Sequence, residues 1–163
     1  MYRGQVRVKG RLFTSKGKSA ESVMFTGGTI FCDLASQRIV VKHQVSLIAL
    51  ETVRSKLAYE REALQCGVLV QSYHTDNGVF VSEEFTKELY GKSQGLKLSG
   101  VGAHHQNGVA ESAIKTVVEM ARTALRWPEV TDNQMWPMAL TYASYVYNHT
   151  PHEGSKLAPE EIF

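Results

Sequence analysis

Two carboxylates stand out by their surroundings. Asp76 lies in SYHTDNGVF (residues 72–80), at the exit of the hydrophobic run GVLVQSY. Glu111 lies in HHQNGVAES (residues 104–112), where a helix-period stretch begins. Each has a local reading. Asp, Asn and Gly together build a turn, because the first two bend the backbone through their side chains and Gly accepts positive φ. Glu111 and Lys115 have the i,i+4 spacing of a solvated ion pair, worth a few tenths of a kcal/mol. Taken together they suggest chemistry. Two carboxylates on separate rigid elements suit magnesium, which takes one or two protein carboxylates and leaves positions for water and phosphate. Two such ions about 4 Å apart can activate an attacking hydroxyl and stabilise the leaving oxygen of a phosphodiester.

That chemistry needs elements that bring the acids together. Thirty-four residues separate Asp76 from Glu111, enough chain to return Glu111 to the strand end. QVRVK predicts a short edge strand at 5–9, and GGTIFCDLASQRIVVKHQ predicts strands at 29–33 and 38–43 joined by an ASQ turn. A helix is expected over 46–65, with Leu47, Leu50, Val53, Leu57 and Leu64 as its apolar stripe and Gly67 ending it. GVLVQSY predicts a strand covered on both faces. A short helix follows at 82–91 with Ser82 as N-cap, then a short strand in LKLS. Two long helices close the chain, at 107–126 and 133–149. The first buries Ala110, Ile114, Val117, Ala121 and Leu125 and exposes Glu111, Lys115, Glu119 and Arg122; Pro151 stops the second. The alternation predicts an α/β layered domain.

Composition supports a globular domain: 163 residues, 43% hydrophobic and 21% charged. No run approaches the ~18 apolar residues of a membrane span, so no membrane partner is expected. The start lacks the apolar segment of a signal peptide, which makes an intracellular protein the expectation. Cys32 and Cys66 are then expected to be reduced thiols in the core. The net charge of +2 is uneven. Residues 1–20 hold Arg3, Arg7, Lys9, Arg11, Lys16 and Lys18 and no acid, leaving twelve basic and sixteen acidic residues, a balance of −4. A basic arm over residues 1–26 on a body of residues 27–163 suits a polyanion partner, although a solvated tail would look the same.

YHTDNGVF followed by GVGAHHQNGVAES resembles the integrase catalytic core of copia-type LTR retrotransposons. GGTIFCDLAS, ETVRSKLAYERE, WPMALTYASYVYNHTP and APEEIF extend the resemblance over residues 27–163. It implies an α/β, ribonuclease H-like fold with a mixed sheet flanked by helices. It also implies metal-dependent cleavage and strand transfer on DNA by a triad of acids, with Mg2+ or Mn2+ as cofactor. Asp76 matches the second acid and Glu111 the third. Lys115 matches a lysine that holds DNA-end phosphates in retroviral integrases, and Asn107 a DNA-contacting position. The family's dimers imply a homodimer or higher oligomer, for which the aromatic-rich closing helix supplies a second apolar face. A working integrase would be expected in the nucleus.

The first acid of the triad has no match. Its position falls near Tyr2, and residues 1–32 contain no Asp; Glu21 is the one acid there. Asp33 is a tempting replacement, yet in the family pattern it ends a strand and caps the AS turn. The chain is therefore expected to be a core truncated at its first catalytic residue, with impaired activity and weak or incomplete metal binding. Three other classes stay open: a non-catalytic DNA-binding or dimerisation module, another ribonuclease H-like nuclease, and a decayed element copy. His104 and His105 lack a partnering Cys pair, which argues against zinc.

Overall fold

A computed structural model describes residues 2–8, 23–75, 78–98, 108–126, 135–152 and 154–163, with the backbone alone for 2–8, 23 and 24. Strand β1 (Tyr2–Val8) pairs antiparallel with β2 (Val23–Cys32), which pairs antiparallel with β3 (Ile39–Gln44). A second, two-stranded sheet joins β4 (Ser72–Thr75) in parallel to β5 (Gly95–Leu98). Among the described residues there are five helices: α1 (Ala49–Gln65), α2 (Glu83–Gly91), α3 (Gly108–Leu125), α4 (Trp136–Asn148) and the short α5 (Pro159–Ile162). A 3-10 turn, Val79–Val81, precedes α2.

Side-chain alternation along β2 and β3 gives the domain two cores. Phe31 and Val40 face α1 and α2, packing with Val53, Tyr59, Tyr73, Phe85 and Leu89. Ile39 faces the other way, onto Ala113, Val117 and Ala121 of α3 and Ala139, Leu140 and Ala143 of α4. The small residues on α3 and α4 let these helices approach each other and the sheet closely. The order is helix, sheet, helix, as the alternation of elements predicted.

Local signals were obeyed where short-range chemistry fixes them. Ser82 caps α2, accepting from the Phe85 N–H at 3.3 Å. Gly67 adopts φ +81°, and beyond it Val68 N–H bonds Ala63 O at 2.9 Å, the hydrogen-bond pattern of a Schellman ending. Other expectations need correction. Leu50 and Leu64, placed in the buried stripe of α1, are 50% and 60% exposed. The helix instead buries Thr52, Val53, Ser55, Lys56, Tyr59 and Ala63. The run GVLVQSY is not a strand covered on both faces. The strand begins at Ser72 and alternates exposed and buried, while Leu69 is exposed. Cys32 is a half-buried free thiol, pushed up to about 11 by burial and the neighbouring Asp33. Cys66 is also free but exposed, so it is no core residue.

Two polar devices tie the layers together. The Asn148 side chain accepts from Ile39 N–H at 2.9 Å and donates to Ile39 O at 2.8 Å, doing for the outer edge of β3 what a further strand would do. Glu60 of α1 collects four donors: Lys56 and Lys92, each within 2.8 Å, Tyr73 Oη at 2.8 Å and Gln94 at 2.7 Å. Burial pushes the Glu60 carboxyl up, but these hydrogen bonds outweigh it and hold it down at about 2. His43 is held down at about 4, chiefly by burial.

Both depressed groups make stability fall in acid. A neutral His43 stabilises the fold fully above its ordinary value of 6.5, and this contribution is lost as pH falls towards 4. The Glu60 contribution is complete above 4.5 and is lost as pH falls towards 2. Urea midpoints between pH 7 and 3 should therefore decline in two stages, and His43→Gln should remove the upper one.

Candidate active site

The elements that carry the candidate acids surround one cavity of about 400 Å3. Its walls include Phe31 and Asp33 from the end of β2, Tyr73 and Thr75 of β4, and Ala110 and Ile114 from the first turns of α3. The strand β4 is held by one buried side chain and one backbone ladder. Tyr73 is buried and bonded to Glu60, and Ser72 through Thr75 pair in register with Gly95 through Leu98. The pairing is close at Gly95, where a Cβ would stand 3.2 Å from that of Ser72. Asp76, the residue after Thr75, lies outside the described residues, as does Asn77. On the far side of that gap Gly78 leads into the 3-10 turn, whose Phe80 packs edge to face on Phe85 at 5.3 Å.

Glu111 is exposed in the first turn of α3, one residue from the cavity-lining Ala110. An acid is favoured there by the positive end of the helix dipole. Lys115 is exposed one turn further on, and Glu119 and Arg122 continue the same exposed face, as the sequence predicted. Asn107, with His104 and His105, lies outside the described residues. His74 is exposed on β4 opposite Lys97.

Asp33 is already engaged. Its Oδ2 accepts from Ala35 N–H at 3.1 Å, Ser36 N–H at 2.7 Å and Ser36 Oγ at 2.8 Å. Three donors on one oxygen make it the cap of the β2–β3 turn, in which Gln37 takes φ +62°. It nevertheless borders the cavity.

Carboxylate oxygens are hard donors, which fit magnesium or manganese better than a thiolate-seeking metal, and among the described residues Asp33 is the one carboxylate that lines the cavity. Among the described residues no three His, Cys, Asp or Glu side chains form a metal-binding group. The sequence reading missed the Glu60 cluster that holds β4 in place. The i,i+4 spacing of Lys56 and Glu60 was its one local signal.

Solved structures share this architecture. The chain matches the HTLV-2 integrase catalytic core domain in complex with magnesium, in its trimeric form, with a TM-score of 0.65 at 15% identity, covering 98% of this chain and 92% of that one. The dimeric form of the same domain gives 0.63 at 15% identity and the same coverage. A chain of the simian T-cell lymphotropic virus intasome in complex with PP2A regulatory subunit B56 gamma gives 0.70 at 14% identity, covering 98% of this chain and 52% of that one. This chain thus spans about half the length of that last relative. These matches establish the fold as the ribonuclease H-like α/β fold of integrase catalytic cores. No family model matches the sequence, and no curated protein does either.

Proposed function

We propose that the chain is the catalytic core of a copia-type retrotransposon integrase, acting on DNA, with residues 27–163 forming the core. The observation that carries this reading is a cavity bordered at once by the end of β2, the end of β4 and the start of α3. Asp76, next in sequence to Thr75, and Glu111, next to Ala110, are the residues that would hold Mg2+ or Mn2+. When bound, the metal would supply activation of the attacking oxygen and stabilisation of the leaving one. The rest falls to the chain. The Glu60 cluster keeps β4 rigid so that Asp76 is mounted on a fixed strand. The buried stripe of α3 sets the direction of Glu111. Lys115 and Asn107 grip the phosphates of the DNA end, and the basic residues 1–20 add salt-sensitive, sequence-independent affinity. Met138, Tyr142 and Tyr145, exposed on α4, form the self-association face. The intasome and the dimeric and trimeric cores among the similar folds are consistent with such assembly.

Manganese-dependent resolution of a branched DNA, the reverse of strand joining, tests this reading. Slow resolution is expected, because residues 1–32 offer no Asp as a further ligand. It should fall at least about a hundredfold in Asp76→Asn and in Glu111→Gln. Resolution that survives both substitutions overturns the site. Tight DNA binding by the folded chain with no cleavage at all favours the second reading, a non-catalytic DNA-binding module, which the unmatched first acid supports.

A further inference from the structure

One face of the β4–β5 ladder is exposed and borders the cavity. The parallel register pairs Ser72 with Gly95, Tyr73 with Leu96 and His74 with Lys97. Paired residues of parallel strands point to one side of the sheet, and successive residues to opposite sides. Tyr73 and Leu96 accordingly pack together in the core under α1 and α2. Ser72, His74, Gly95 and Lys97 share the other face, and all four are exposed. A Cβ on Gly95 would stand 3.2 Å from that of Ser72, so the upstream end of this face carries little bulk. Its downstream end carries an imidazole and an ammonium side by side. Lys42, Lys56 and Lys92 are engaged by Glu62, Glu60 and Glu88, whereas no acid pairs with Lys97 among the described residues. The face continues into the cavity, because Ser72 and His74 line it together with Val109 and Ala110 of α3.

We propose that this face is a second DNA contact, in which Lys97 and His74 hold the sugar–phosphate backbone of the strand that leaves the cavity. It rests on the assignment of DNA as substrate and adds a subsite distinct from Lys115. Neighbouring strands stand about 4.8 Å apart, so the two side chains can reach one phosphate or two successive ones. A lysine ammonium is a compact point charge suited to phosphate, and an imidazole can donate to the same oxygens or stack on a base. The low Ser72–Gly95 end leaves room for a nucleic-acid backbone to cross the sheet. Because His74 lines the cavity itself, the contact holds DNA beside the reacting phosphodiester rather than at a remote basic patch.

Anisotropy of a labelled branched DNA, measured without divalent metal so that cleavage plays no part, tests it. Lys97→Gln should weaken binding roughly five- to tenfold at about 0.1 M salt. It should also flatten the dependence of log affinity on log salt by about 0.7–0.9, the loss of one phosphate contact. His74→Gln should weaken binding about three- to tenfold. Lys87→Gln removes an exposed lysine from α2, which packs on the opposite face, and should change neither quantity. Unchanged binding by Lys97→Gln, or an equal loss in Lys87→Gln, overturns the proposal. Methylphosphonates placed singly along the DNA should include one that weakens the parent chain but not Lys97→Gln. If every position weakens both proteins alike, Lys97 acts only through long-range charge and the subsite is wrong. Lys115→Gln separates the two assignments. Weaker binding there, with Lys97→Gln and His74→Gln unchanged, keeps DNA as the substrate and removes this subsite alone, whereas a folded parent chain that binds no DNA removes both.

Discussion

Glu60→Ala should destabilise the domain by about 3–5 kcal/mol. The reason lies in its partner. The Lys56 side chain is fully buried, 2.8 Å from Glu60 and 3.7 Å from Glu88. Removing Glu60 leaves a desolvated ammonium with only the weaker Glu88 contact and the Tyr73 ring 5.6 Å away. The Tyr73 hydroxyl loses its acceptor in the same step, while Gln94 keeps Val70 O and Lys92 keeps Glu88. Urea denaturation measures the loss. Replacing Lys56 by Met in the Glu60→Ala background should recover a large part of it, since an apolar pair removes the stranded charge. A loss below about 1 kcal/mol, or no recovery in the double variant, would show that the cluster does not hold β4. Because Tyr73 is one of the donors, the substitution should also loosen the strand end that precedes Asp76.

Asn148→Ala should cost about 2–5 kcal/mol, from two buried main-chain groups left without partners. Ile39 is 1% exposed, so water cannot replace the lost amide. Asn148→Asp should recover part of the loss, because its carboxylate can still accept from the Ile39 N–H but cannot donate to the carbonyl. Thermal melts of the three proteins order them: Asn first, Asp next, Ala last. Equal melting of Ala and wild type would mean that the β3 edge finds another partner.

How much of this was legible beforehand depends on the range of the interaction. Ser82 and Gly67 were readable because a cap and a helix stop are decided within a few residues. The exposed face of α3 was readable for a related reason, since Glu111, Lys115, Glu119 and Arg122 recur at helical spacing. Its buried face was only half readable: Val117 and Ala121 are buried, Ala110, Ile114 and Leu125 are half-buried, and Ala113 is buried instead. The buried face of α1 was not. Leucines at 50 and 64 satisfy a helical stripe, but the helix rotates to bring Lys56 and Tyr59 inward. That choice is made by Glu88, Lys92 and Tyr73, which are distant in sequence. The start of β4 was misread because Val68 and Val70 mimic a strand, whereas the ladder is set by Gly95–Leu98. Asp33 was read correctly as a candidate turn cap, since Ser36 three residues on supplies the donors. Asp76 and Glu111 were singled out through motifs rather than geometry, and the placement of Asp76 and Asn107 falls outside the described residues.

The Asn148 clasp has a consequence for the order in which the protein can be made. Its two partners are 109 residues apart. At ribosomal speeds of about 5–20 residues per second, Ile39 emerges roughly 5–20 s before the side chain that closes its edge. For that interval the β2–β3 hairpin carries an open flank and lacks α3 and α4, the helices that cover its Ile39 face. The nascent chain is then most prone to pair with a neighbour on the same message. Completion of α4 closes the flank, so productive folding of this domain is a late event of its own translation.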